Sequence, residues 1–186
     1  MLAIRKNYIN IYYRGGNILR VTERSKKYTT DFDENYNLSD KEIPNSPVSI
    51  TSQSDSNNWV DSFAQRKNIM DEYFSKHGKA EREFQQLVAR ENTNSTISKN
   101  CEYYITDIEV TDPGLARFDI TAMRWLTKDR KSGKCRAALF EMKYSDGARG
   151  GKAGLLKHLK DMEAFINDKN RYKKLLETMV GQFNQL

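Results

Sequence analysis

The sequence predicts a mixed α/β chain, on three observations. Around Gly15-Gly16, two short runs of β-branched and aromatic residues, YINIYY and ILRVT, have the pattern of a β-hairpin. From residue 59 to residue 91 the apolar spacing changes to steps of three and four, the helical period. Residues 102–144 then hold three strand-like segments, and a glycine-rich joint leads into a stretch with one apolar helical face.

Taken in order, the hairpin covers residues 8–22, and residues 28–36 (YTTDFDENY) offer a third strand whose apolar positions are sparse. Residues 38–58 are rich in Ser, Asn and Asp and contain Pro44 and Pro47, the composition of a linker or long loop. Phe63, Ile69, Met70, Tyr73 and Phe74, then Phe84, Leu87 and Val88, mark two helices separated at His77-Gly78, since glycine ends helices better than it continues them. EYYITDIEV (102–110), RFDITAMRW (117–125) and CRAALFEMKY (135–144) form a meander, joined by Asp112-Pro113-Gly114 and by the polar residues 128–134. Leu155, Leu156, Leu159, Met162, Phe165 and Ile166 then line one side of a helix, and a last helix covers about residues 171–182. The expected division is 1–37 as a hairpin region, 38–58 as linker and 59–186 as the main domain.

The 186 residues fit one ordinary domain with appendages. No apolar run approaches the roughly 18 residues that span a bilayer, and the N-terminus lacks the apolar core of a secretory signal, so the expectation is a cytoplasmic protein with no membrane association. Cys101, Cys135, His77 and His158 match no disulfide framework or zinc-finger spacing. The net charge is +6, and residues 124–160 hold 11 Lys/Arg against 3 acids. A cationic block of this kind suits a polyanion, nucleic acid first, through phosphate neutralisation and counterion release; the alternative is a solvated surface rich in lysine.

The chemistry gathers on two strands. Alternation puts Glu141 and Lys143 on one face of the third strand, and Asp119, between Phe118 and Ile120, faces away from an apolar stripe on the second. Antiparallel neighbours bring such side chains within about 5 Å. Two carboxylates can hold a hard divalent cation, Mg2+ or Mn2+, which polarises a scissile phosphate and activates water, while a lysine orients the nucleophile or stabilises developing charge.

With its order of helix, strand, strand bearing Asp119, strand bearing Glu141-Met142-Lys143, and helix, the chain resembles the PD-(D/E)xK nuclease superfamily over about residues 79–168. The resemblance implies a restriction endonuclease-like αβββα(β) core and metal-dependent cleavage of nucleic acid, DNA before RNA. Asp119 and Glu141 would be its metal ligands and Lys143 its catalytic lysine. Phe118 stands where the family name has proline, and no fourth core strand is legible, so the expectation is either a core completed differently or a chain that is the front portion of a longer protein, with a homodimer or a C-terminal partner or continuation as the expected protein partner. Many members add a helix glutamate. Glu81 resembles the one that opens this helix in Holliday junction resolvases, with Glu91 as the other candidate. Arg149 and Lys152, in the glycine-rich joint beside a helix start, could hold a DNA phosphate; the alternative is a loop whose glycines merely make the turn. His158 reads as a surface or phosphate-side residue. Two other functions remain open from sequence: a binding module on the same fold that does not cut, and a protein-interaction domain built on the N-terminal tyrosines.

Overall fold

The computed structural model of the chain describes residues 1–94, 100–144 and 154–185. It is mixed α/β, with two antiparallel sheets, and divides into the units Met1–Gln86 and Leu87–Leu186.

In the first unit, β1 (Leu2–Ile4), β2 (Tyr8–Tyr13), β3 (Gly16–Arg24), β4 (Lys27–Asp31) and β5 (Ser49–Ile50) pair in sequence order. Arg14 and Gly15 turn between β2 and β3 with φ of 45° and 79°, the left-handed pair that matches the twist of a two-residue hairpin. The β2–β3 register slips after Ile11, leaving Ile18 without a cross-strand partner. That bulge breaks the alternation, so Ile18 and Leu19 are both buried. They pack against α1 (Gln53–Lys76) through Trp59, Phe63, Met70 and Phe74.

Residues 38–58, expected as a linker, are part of this unit. Ser49–Ile50 extends the sheet, and the polar TSQSDSNN stretch is a helix start. Ser52 Oγ accepts the Asp55 N–H at 3.2 Å while the Asp55 carboxylate accepts the Ser52 N–H at 2.9 Å, a capping box. Side chains of α1 hold the preceding loop: Trp59 Nε1 donates to the Pro47 carbonyl, Gln65 to that of Glu42, and Arg66 to that of Pro44 and to Ser46 Oγ. The division into units therefore falls at Gln86/Leu87 rather than within 38–58.

Helix α2 (Ala80–Asn94) follows the expected break at His77-Gly78. In the second unit, β6 (Tyr103–Asp112), β7 (Ala116–Arg124) and β8 (Arg136–Phe140) form the expected meander. Gly114 turns between the first two strands at φ 81°, and a 3-10 turn, Thr127–Ser132, leads into the third. The Asn92 amide pairs with the edge of β6, donating to the Tyr103 carbonyl and accepting the Ile105 N–H. Helices α3 (Leu155–Asn167) and α4 (Lys169–Phe183) complete the unit. Phe118 and Ala116 of β7 pack on Met162 and Phe165 of α3, the rings of Phe118 and Phe165 meeting edge-on at 4.9 Å. No strand follows β8 among the described residues, and no described helix is long and apolar enough to cross a membrane.

Candidate active site

The β7–β8 register sets Thr121 opposite Leu139 and Ile120 opposite Phe140. One more step of that register brings Glu141, just past the end of β8, opposite Asp119. Asp119 is buried, at 4% exposure, and its Oδ2 accepts the Met142 N–H at 2.8 Å. This bond holds the segment after β8 against β7 although the ladder itself has ended.

Lys143 turns back to donate from Nζ to Glu141 Oε1. The same oxygen lies 3.4 Å from His158 Nδ1 on α3. Glu141 Oε2 is buried and has no hydrogen-bond partner among the described residues. Burial pushes the Glu141 carboxyl above the usual carboxylate range, and the Asp119 charge pushes the same way; the Lys143 hydrogen bond and the His158 and Lys143 charges oppose them. The geometry thus gathers Asp119, Glu141 and Lys143, and adds His158, which from sequence alone reads as a surface or phosphate-side residue. Its signal is the helical period: half-buried His158 falls at i, and the buried Met162 and Phe165 at i+4 and i+7, on one side of α3.

Of the other candidates, Glu81 is in the first turn of α2, within the first unit. Glu91 is exposed and pairs with Arg90 at 2.9 Å. Arg149 and Lys152 lie outside the described residues. Asp107, a buried acid that the sequence pattern does not single out, is 2% exposed and accepts bonds from the Ile108 N–H and from Gln182 Nε2.

The orphaned Glu141 Oε2 beside Asp119 suits a hard divalent cation. Magnesium takes one or two carboxylates, keeps several waters and bonds to substrate phosphates. Among the described residues there is no cluster of three or more His, Cys, Asp or Glu side chains able to hold a metal. No protein-family model, curated protein or solved structure matches the chain.

Proposed function

We propose that the protein is a divalent-metal-dependent nuclease, hydrolysing phosphodiester bonds of DNA on a restriction endonuclease-like core of the PD-(D/E)xK kind. The observation that carries this reading is the buried pair of Asp119 and Glu141 at one strand end, with Lys143 bonded to Glu141. The order α2, β6, β7, β8, α3 supports the core assignment. Among the described residues β8 is an edge strand, and a fourth strand, from a second copy or another chain, would add there.

Asp119 and Glu141 would hold Mg2+ or Mn2+, which when bound supplies Lewis-acid stabilisation of phosphate charge. The chain's own groups do the rest. The Met142 N–H fixes the Asp119 carboxylate, so little reorganisation of that side chain is needed to hold a cation. Lys143 brings an ammonium, held in a largely buried position, to stabilise the negative charge that develops as the phosphate is attacked. His158 steadies Glu141 from the α3 side and links the site to the Phe118–Phe165 core.

One observation favours a second reading, a module that binds nucleic acid without cutting it: Lys143 and His158 already offset the charge on Glu141. Incubating supercoiled and linear DNA with the protein, with Mg2+ or with chelator, separates the two. The nuclease reading expects cleavage that chelator abolishes and that falls about 100-fold or more in Asp119→Asn, Glu141→Gln and Lys143→Met. Equal cleavage by wild type and all three variants would overturn it. Binding that ignores chelator, without cleavage, would favour the second reading.

A further inference from the structure

A second site of marked charge lies at the other end of the β7–β8 hairpin. Arg124, Lys128, Lys134 and Arg136 line a cleft of about 580 Å3 that contains one carboxylate, Asp129. Arg124 and Arg136 are directly opposite each other across the ladder. Like charges in that position repel, so the pairing costs stability unless an anion sits between or above the two side chains. Arg124 is held by the Tyr103 ring, 5.8 Å from its guanidinium carbon, and by Glu102 at 3.7 Å, and its Nε is buried without a hydrogen-bond partner among the described residues. Lys128, Lys134 and Arg136 are exposed and form no ion pair among the described residues. Their charges are therefore available to a ligand.

We propose that this cleft binds the sugar-phosphate backbone of the nucleic acid, flanking the bond to be cut. The choice of polyanion rests on the nuclease reading above. Arg124 and Arg136 each lie five strand residues from Asp119 and Glu141, about 17 Å along the strands, so the cleft is separate from the carboxylate site. Five is odd, so the arginines leave the sheet on the face opposite the carboxylates. The cleft is thus an anchor for flanking phosphates and does not touch the scissile one. A planar guanidinium pair suits phosphate oxygens, and the two lysines add point charges at the rim.

The test measures binding in chelator, where no cutting occurs, so it is independent of the cleavage result. Fluorescence anisotropy of labelled single-stranded and duplex DNA is followed across roughly 50–200 mM salt for wild type, Lys128→Gln/Lys134→Gln and Arg136→Gln. Each phosphate partner removed should make the slope of log K against log salt shallower by about 0.9 on duplex and about 0.7 on single strands, and weaken binding about five- to tenfold near 0.1 M salt. Arg136→Gln should melt at the same temperature as wild type or higher, because it removes the cross-strand repulsion; weaker binding by a variant that still folds fully then reports on the phosphate interaction itself. Variants that keep the wild-type affinity and slope would overturn the proposal. So would a wild type that binds no DNA at ~50 mM salt. A wild type that binds through these residues yet never cuts would uphold the cleft while refuting the nuclease.

Discussion

Glu141 is held by opposing forces. Lys143 and His158 favour its charge, but burial and the neighbouring Asp119 outweigh them and raise its pKa. A carboxyl whose pKa is raised on folding binds a proton more readily in the native state than in the unfolded chain. Its charged form therefore costs stability above the raised pKa, and that cost disappears below the ordinary carboxylate range. Glu141→Gln is expected to melt above wild type near pH ~7.5, with the difference closing by about pH 4; a difference independent of pH would contradict the assignment. Arg66 gives a contrasting case. It is 4% exposed, lies over the rings of Trp59 and Phe32, and ties down the loop before α1. Burial lowers its pKa. Replacing it with Leu should cost about 2–3 kcal/mol in chemical denaturation, and Lys should not restore the loss because it lacks the planar fork. At this scale alternation alone is enough to place Asp119, Glu141 and Lys143 together. His158 is legible only as a position on the apolar side of its helix, because the period that aligns it with Met162 and Phe165 does not say what it meets. Nothing in local pattern marks Arg66 as buried.

The elements show which signals survive tertiary context. The hairpin, the His77-Gly78 break, the three-strand meander and α3 are legible because period and turn chemistry agree with the packing. Residues 38–58 are not, because Ser and Asp serve equally as loop formers and as helix caps, and only the Ser52–Asp55 reciprocity decides between them. Ser52→Ala should lower stability by about 1 kcal/mol through loss of that cap. Gly16 is legible as part of a turn, yet it acts as a spacer within β3. A Cβ there would come 2.7 Å from Phe74, 2.8 Å from Met70 and 2.8 Å from the Tyr36 hydroxyl. Gly16→Ala should cost about 1–3 kcal/mol, as overpacking does, and a neutral effect on the melting temperature would show that this core yields.

At the level of the whole molecule, each unit has its own core, one around Ile18, Met70 and Phe74, the other around Phe118, Met162 and Phe165. Phe118→Ala, at a fully buried position next to Asp119 in β7, should cost about 3–5 kcal/mol, and hydrogen exchange should place the loss of protection in β6–β8, α3 and α4 while β2 and β3 keep theirs. Uniform loss would mean the units unfold as one. The charge surplus of residues 124–160 is legible as a count, but its split between the hairpin cleft and the surroundings of Glu141 is not, because composition carries no register. The central claim is that Asp119 and Glu141 together hold the cation of a nuclease. Anomalous scattering from crystals soaked in Mn2+ tests it most directly: the expected result is one peak bridging the two carboxylates, absent in Asp119→Asn, and a peak at any other place, with none here, would contradict it.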